Sequence, residues 1–191
     1  MGEAVLEDAA AQIGELAFMA AAAEHEPDWH PFVVIAARTG LRIGELVALR
    51  WHEDVDLERR RVTVQRSYSK KHGFQSTKND KIRELPLTWD ATEALRVQRS
   101  RVDGDLVFED PELGVLRGSK ANDALERIAE SIGMRRITNH SLRHSFASHA
   151  VMKGISIRQV QEWMGHGSVV VTMRYAHLAR SHGDELIQRL S

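Results

Sequence analysis

The sequence predicts a mostly α-helical domain with one small three-stranded antiparallel β-sheet, an α+β fold. Apolar residues recur at helical spacing along most of the chain, whereas one central stretch alternates apolar and polar residues as a half-buried strand does. The chain has 191 residues, the length of one domain, and its 42% hydrophobic and 28% charged residues are ordinary for a globular protein. We therefore expect a single domain over residues 1–191.

The N-terminal part is predicted to be helical. An opening helix is expected over residues 4–23, which are rich in Ala and carry apolar side chains at helical spacing. Pro27 and Pro31 interrupt this pattern, because proline has no N–H group to donate inside a helix. Two more helices are predicted after the interruption, on either side of a turn at Gly40: Phe32–Arg38 and Leu41–Trp51.

The basic hairpin region, residues 58–87, is predicted to form the sheet. Val and polar residues alternate over Arg61–Ser67, which indicates a first strand. Turn residues of the Gly, Asn and Asp type separate it from two further predicted strands, Gln75–Lys78 and Ile82–Leu87. Such short strands with tight turns are typical of antiparallel pairing.

Helices are predicted for the rest of the chain, because the apolar residues return to helical spacing. The predicted ranges are Asp90–Arg101, Lys120–Ile132, Ser141–Lys153, Ser156–Met164, Val169–Leu178 and a short final helix at Asp184–Leu190.

The charge of the chain is unevenly distributed. Its net charge is −1, which by itself does not favour a nucleic-acid partner. Residues 1–30 hold seven acidic side chains and no Lys or Arg, while the other 161 residues hold 26 basic and 20 acidic side chains. Within Glu58–Arg83, nine Lys or Arg residues stand against two acids. Such a band is typical of a surface that binds DNA phosphates, and also of a solvated basic hairpin.

Composition also limits the cellular setting and the chemistry. No apolar run reaches the roughly 18 residues that a membrane span needs, and the Ala-rich start does not have the pattern of a signal peptide. With no cysteine, a disulfide framework, a thiol nucleophile and a Cys-based zinc site are excluded. We therefore expect a cytoplasmic protein.

Four residues in the last third of the chain suit chemistry on a phosphate ester. NHSLRHSFASHA carries His140 and Arg143, which their spacing places on one face of a helix. His166 follows 23 residues after Arg143, and Tyr175 follows nine residues after His166, within MGHGSVVVTMRYAHL. A guanidinium group binds phosphate oxygens, imidazoles transfer protons near neutral pH, and a phenol can act as a nucleophile. These residues predict an anion clamp, two proton donors and a nucleophile.

Two further cations come from the N-terminal half. Arg42, in RTGLRIGELVALRW, lies at a predicted helix start, where backbone N–H groups also favour anions. Glu45, one turn later, either orients Arg42 or lies on a solvated helix face. A lysine in the basic hairpin region would be a suitable general acid for the leaving oxygen. From the chemistry alone the choice stays open among Lys70, Lys71, Lys78 and Lys81.

The remaining tyrosine and several other histidines have alternative interpretations. Tyr68, the second tyrosine, is predicted to contact DNA or cap the sheet rather than to act as the nucleophile. His140 and His144 lie four residues apart, as zinc ligands on helices do, but no acid stands between them and Arg143 would place a cation beside the metal. We therefore expect no metal. Packing, helix-face or DNA-backbone roles are predicted for His144, His149 and His177.

In order along the chain, Arg42, Lys78, His140, Arg143, His166 and Tyr175 resemble the catalytic set of the tyrosine recombinases, the phage integrase family. The segments ARTGLRIGELVALRW, HSLRHSFASHAVMKG and QEWMGHGSVVVTMRYAHL are also similar to that family, and the likeness runs from about Leu6 to Leu178. The run TKNDKIRELPL resembles the family's strand–turn–strand lysine motif, which selects Lys78.

The resemblance implies a site-specific recombinase that cleaves and rejoins DNA strands through a covalent 3′-phosphotyrosine intermediate on Tyr175, without a metal or another cofactor. It implies double-stranded DNA as the partner, a homo-tetramer on paired DNA sites, accessory DNA-bending proteins as compatible partners, and a place at the nucleoid. The helix at 184–190 would dock on a neighbouring subunit or pack on its own domain. The family's N-terminal core-binding domain is absent from the sequence, so the chain is expected to be the catalytic domain alone, excised or naturally truncated.

Two other functions are compatible with parts of this pattern. A type IB topoisomerase uses a similar Arg, Lys, His and Tyr set to relax DNA, but the paired HSLRH and MGHGS…RYAH segments favour a recombinase. A DNA-binding regulator that kept the fold would need no phenol beside two histidines and two arginines. The full set therefore favours an enzyme.

Overall fold

A buried helix lies at the centre of the N-terminal half. In the computed structural model, which describes residues 2–76 and 82–179, helix α1 (Gly2–His25) precedes helix α2 (His30–Thr39), and most α2 residues are buried. Pro31 stands in the first turn of α2, where its missing N–H group costs no hydrogen bond. At the other end, Gly40 adopts a left-handed conformation with φ of 60° and stops the helix. Both helices were predicted.

The predicted helix over Leu41–Trp51 is wrong. Two short helices occupy this part of the chain, α3 (Ile43–Leu46) and α4 (Trp51–Asp54). Between them the backbone pairs with a distant segment: the N–H of Val107 donates to the carbonyl of Leu49 at 2.9 Å, and the N–H of Trp51 donates to the carbonyl of Asp105 at 2.8 Å. These long-range bonds take the groups that a continuous helix would use.

The strands form small antiparallel sheets, as the predicted fold class requires. The three-stranded sheet has the order β1 (Val55–Asp56), β2 (Arg61–Val64) and β5 (Arg83–Pro86), and two hairpins are formed by β3 (Arg66–Ser69) with β4 (Gly73–Ser76) and by β6 (Glu109–Asp110) with β7 (Gly114–Val115). The count of three strands was predicted, but the composition of the sheet differs. The predicted second strand begins in β4, which pairs with β3 in a separate hairpin, and β1 takes its place.

The predicted first strand is split at Gln65, where a buried carboxylate binds the side chain at the break and the one that follows it. Asp54 accepts hydrogen bonds from Gln65 Nε2 at 2.7 Å and from Arg66 Nη1 at 3.0 Å. Burial raises the pKa of Asp54, and the hydrogen bond from Gln65 opposes this shift. The chain therefore changes partner here, from β5 on one side to β4 on the other.

The C-terminal half is helical, close to the predicted ranges. Its helices are α5 (Trp89–Arg99), α6 (Gly118–Ser131), α7 (Asn139–Met152), α8 (Ile157–Met164), α9 (Val169–Met173) and α10 (Ala176–Ala179). The single helix predicted over Val169–Leu178 is interrupted just before α10, where the N–H of Tyr175 bonds to the carbonyl of Thr172, only three residues back. The predicted final helix, Asp184–Leu190, lies outside the described residues. None of the described helices combines the length and hydropathy that crossing a bilayer would require.

Two hydrophobic clusters hold these elements together. The main core contains buried side chains from α1 to α6 and from the three-stranded sheet, and reaches Leu142 in α7. The small core consists of buried residues from α7, α8, α9–α10, namely Ala147, Ala150, Val151, Val160, Met164 and Tyr175. Helix α7 contributes to both cores and therefore joins the N-terminal half to the segment that carries Tyr175.

Candidate active site

The turn after α2 sets the position of Arg42. Gly40 allows the left-handed turn, and a Cβ atom there would lie 2.5 Å from the ring of Phe146, so a larger residue does not fit. The side-chain amide of Asn139 donates to the carbonyl of Leu41 at 3.0 Å, which ties the turn to the start of α7. Arg42 then stands at the N-cap of α3 with 46% of its side chain exposed.

A buried carboxylate lies beneath Arg42. Glu45 accepts hydrogen bonds from Nη1 of Arg42 at 3.0 Å and from Nη2 of Arg83 at 2.7 Å. Burial disfavours the ionised form of Glu45, but the charges and hydrogen bonds of Arg83 and Arg42 outweigh it, so the pKa of Glu45 falls below its usual value. Of the two interpretations of Glu45, orientation of Arg42 is the one that this contact supports, because the carboxylate is not on a solvated face.

Three guanidinium groups, which we call the arginine cluster, bind the C-terminal carbonyls of α8. Arg143 Nη2 donates to the carbonyl of Met164 at 2.6 Å, and Arg83 Nε donates to the carbonyl of Trp163 at 2.8 Å. Arg42 donates to the carbonyls of Met164 at 3.3 Å and Gly165 at 3.1 Å. Helix C-termini have unpaired carbonyls and a negative dipole end, which three cations stabilise. The cluster thus has a fixed orientation before any ligand binds.

Arg143 is the buried member of the arginine cluster. Only 5% of its surface is exposed, and its second amino group donates to the carbonyl of Gly40 at 2.6 Å. Burial and the neighbouring charge of Arg42 lower the pKa of Arg143 to about 10. The group therefore stays protonated at neutral pH and brings a positive charge into a largely desolvated place, where an anion would be attracted strongly.

Tyr175 lies at the inner end of a line of side chains that we call the tyrosine–histidine chain. The phenol oxygen of Tyr175 is hydrogen-bonded to Nδ1 of His144. Nε2 of His144 lies 2.8 Å from Nε2 of His140, whose side chain is exposed. The packing, helix-face or DNA-backbone role predicted for His144 misses this contact, because the 31-residue separation from Tyr175 carries no local sequence signal.

Burial acts on both ends of the tyrosine–histidine contact. Desolvation raises the pKa of Tyr175, although the charges of Arg174 and Arg143 oppose the shift. Desolvation also lowers the pKa of His144, and the electrostatic effects of His140 and Arg174 lower it further. At neutral pH the pair is therefore a protonated phenol beside a neutral imidazole.

His166 follows the end of α8 and faces the same charges. Its Nδ1 lies 2.9 Å from the hydroxyl of Thr172, which is fully buried in α9. Burial, Arg143 and Arg42 lower the pKa of His166 to about 4. His166 is therefore neutral at pH 7 and can act as a hydrogen-bond donor or acceptor without carrying a charge.

Five of the six residues selected from the sequence are within the described chain, and the structure brings them together. Charge effects link four of them, and His140 joins the group through His144, which contacts Tyr175. These five are Arg42, His140, Arg143, His166 and Tyr175. Lys78 lies outside the described residues. The alternative nucleophile, Tyr68, is in the β3–β4 hairpin, where its ring packs against Phe74 at 5.0 Å. From the sequence, Arg83 is predicted only as part of the basic band, because no local pattern marks it as a partner of α8.

Comparison with known proteins agrees with this arrangement. Residues 12–182 match the sequence model of the phage integrase family. The chain belongs to that family. A tyrosine recombinase XerC from Roseiflexus castenholzii is 36% identical to this member over 150 residues, which cover 73% of the chain and 44% of the relative.

Solved structures show the same fold. The crystal structure of XerA recombinase is 27% identical, with a TM-score of 0.75 over 93% of this chain and 61% of that one. The Tn1549 transposon integrase in complex with a circular intermediate DNA is 19% identical, with a TM-score of 0.76 over 84% of this chain and 58% of that one. The family member described here spans about half the length of the curated relatives it matches.

Proposed function

We propose that the chain is the single catalytic domain of a site-specific DNA recombinase, which cleaves and rejoins DNA strands through a covalent 3′-phosphotyrosine intermediate. The observation that carries this proposal is the position of the Tyr175 phenol, which contacts an imidazole and lies within the field of a preoriented arginine cluster. A nucleophile, a proton-accepting group and fixed positive charge are the requirements of phosphoryl transfer by a side chain.

In the proposed strand-cleavage step, each side chain of the site has one role. The phenol oxygen of Tyr175 attacks phosphorus, and the DNA bond to the 5′ oxygen breaks. Arg42 and Arg143 neutralise the charge that develops on the phosphoryl oxygens, and His166 donates a hydrogen bond to one of them. His140 takes part in moving the tyrosine proton. Because the phosphodiester energy is kept in the protein–DNA link, the strand can be rejoined by the reverse steps without ATP.

Lys78 is proposed as the general acid that protonates the leaving 5′ oxygen. Support comes from the lysine motif of the family and from β5, which returns from the hairpin region directly into the site and places Arg83 on Glu45 and Trp163. A lysine ammonium can lose its proton to an alkoxide, and partial desolvation makes that transfer easier.

Double-stranded DNA is the proposed substrate and partner. The basic hairpin region and the arginine cluster supply the positive charge, and the similar Tn1549 integrase is known in complex with DNA. A homo-tetramer on paired DNA sites and accessory DNA-bending proteins are part of the same proposal, as is work in the cytoplasm at the nucleoid.

A covalent-trap experiment tests the proposal. Wild type and Tyr175→Phe are incubated with a pool of nicked duplexes of randomised sequence, in which the cleaved 5′ end diffuses away and leaves the adduct trapped. Detergent-stable adducts that require Tyr175 support the proposal, and sequencing the attached DNA identifies the site. Added chelator should leave the rate unchanged, because the charge is neutralised by arginines. Absence of adducts with wild type, or plasmid relaxation without strand exchange on the identified site, would contradict it.

A further inference from the structure

We infer that His144 is a catalytic residue, which takes the proton from the Tyr175 phenol and passes one on to the exposed His140. This inference rests on the proposed function and adds a named proton route to it. His144 is the residue in direct contact with the attacking oxygen: its Nδ1 is hydrogen-bonded to that oxygen, and its Nε2 lies 2.8 Å from Nε2 of His140.

The fold holds His144 and His140 in register for this transfer. They lie four residues apart on α7, so their rings meet edge to face, with centroids 4.3 Å apart and planes at 85°. The start of α7 is capped by Thr138, whose hydroxyl accepts from the N–H of Ser141 at 3.2 Å. The other side of the contact is fixed by the small core, in which only 6% of the Tyr175 surface is exposed.

The protons balance along the tyrosine–histidine chain. The O–H bond of Tyr175 breaks and its proton goes to Nδ1 of a neutral His144, which carries its own hydrogen on Nε2. That hydrogen goes to Nε2 of His140, which becomes an imidazolium and can lose a proton to solvent. The freed electron pair of the phenol oxygen forms the bond to phosphorus, the bond from phosphorus to the 5′ oxygen breaks, and the leaving oxygen takes a proton from the general acid. Rejoining reverses each transfer.

The buried phenol needs such an acceptor. Direct loss of the proton to water is hindered, because Tyr175 is almost fully covered and its pKa is raised. His166, the other imidazole in this neighbourhood, has its Nδ1 occupied by Thr172. His144 faces charged and titratable groups from three elements: His140 and Arg143 on α7, His166 after α8, and Arg174 with Tyr175 at the α9–α10 junction.

His144→Asn is the variant that tests the inference. The shorter amide can still hydrogen-bond near the position of Nδ1 but cannot take a proton at neutral pH. The same substitution at the exposed His52 on α4 is the matched control. Adduct formation is measured in single turnovers on the duplex recovered by the covalent trap. The duplex is made with either oxygen or sulfur as the bridging 5′ atom, because a sulfur leaving group needs no general acid.

We expect His144→Asn to slow adduct formation about 10²-fold with both leaving atoms, as is typical for loss of a general base. Lys78→Ala should be slow only with oxygen, and His52→Asn should match wild type. In wild type the rate should rise with pH through the lowered pKa of His144 and then level, and this rise should be missing in His144→Asn. An unslowed His144→Asn, or one restored by the sulfur leaving atom, would overturn the inference.

A measurement without DNA separates this inference from the proposed function. Nitrogen-15 NMR of wild-type protein at neutral pH reports which ring nitrogen of His144 carries hydrogen. Hydrogen on Nε2 with an unprotonated Nδ1 supports the route, whereas hydrogen on Nδ1 overturns it. Because the measurement uses wild-type protein, the result does not depend on whether a variant folds. If wild type forms no DNA adduct while His144 shows the expected tautomer, the failure lies in the proposed recombinase activity.

Discussion

The arginine cluster and the tyrosine–histidine chain differ in how they hold charge. The cluster consists of three guanidinium cations, and their donors are bound to backbone carbonyls that the folded helix provides. In the tyrosine–histidine chain, Tyr175 and His144 are neutral at pH 7, and the links are between side chains that can exchange protons. Within one site, backbone contacts hold the fixed positive charge, and contacts between side chains provide the path for protons.

The two groups also depend on different parts of the core. Arg42 and Arg83 are held by elements of the main core, whereas Tyr175 belongs to the small core. Helix α7 contributes Arg143 to the cluster and His140 and His144 to the chain. The difference predicts that removing Arg143, the buried member of the cluster, affects both stability and rate. Variants of the exposed Arg42 and of the tyrosine–histidine chain should affect mainly the rate.

The largest effect on activity is expected from Tyr175→Phe. Removing the phenol oxygen removes the nucleophile, so covalent linkage to DNA should fall below detection. The ring that fills the small core remains, so fold and DNA binding should be preserved, and losing the hydrogen bond to His144 should cost about 1 kcal/mol of unfolding free energy. Adduct assays and chemical denaturation measure the two effects. Tyr68→Phe is the control, and loss of adducts in that variant would contradict the assignment of the nucleophile.

Arg143→Ala should lose cleavage and also destabilise the fold. The substitution leaves the buried carbonyl of Gly40 without its donor and removes the shorter bond to Met164. We expect the free energy of unfolding to fall by about 2–4 kcal/mol, a large part of the stability of a typical domain. Urea unfolding measures this loss. A variant with wild-type stability would show that the guanidinium does not support the turn and α8.

Arg42→Ala should separate rate from stability. Its side chain is half exposed, and Met164 keeps the bond from Arg143, so the expected loss of stability is at most about 1 kcal/mol. Loss of a phosphate-binding donor should slow adduct formation about 10²–10³-fold. Single-turnover cleavage and urea unfolding are compared on the same preparation. Equal losses in Arg42→Ala and Arg143→Ala would remove the distinction between exposed and buried members of the cluster.

The smallest effect is a dependence of stability on pH. The folded-state pKa of His166 is about 4 against an ordinary 6.5, so the unfolded chain takes up a proton first as the pH falls. The contribution of neutral His166 to the free energy of unfolding is fully present above about pH 6.5 and is lost as the pH falls towards 4. Because the ring is partly solvated, we expect at most about 1 kcal/mol. Unfolding midpoints across this range should fall less steeply in His166→Gln, and an equal slope would contradict the shift.

The sequence predicts the fold class and the outer limits of most helices, because amphipathic spacing and glycine or proline breaks are local signals. Helix α8, for example, is recovered to within one residue. The Leu41–Trp51 helix fails because Leu49 and Trp51 find backbone partners far along the chain. The sequence does not predict the roles of His144 and Arg83 for the same reason. Their contacts with Tyr175 and α8 are formed only in the tertiary fold. Lys78 stays a prediction.

The convergence of three arginines on one helix end also limits how the length of the chain can vary. Arg42, Arg83 and Arg143 reach α8 from positions far apart in the sequence, and each meets a particular carbonyl between Trp163 and Gly165. Inserting or deleting one residue in α8 would turn these carbonyls by about 100° around the helix axis and break all the contacts together. Insertions before Ser156, which caps α8, leave that register intact. In a library of single-residue insertions and deletions, α8 should therefore be depleted, and the preceding turn should tolerate changes.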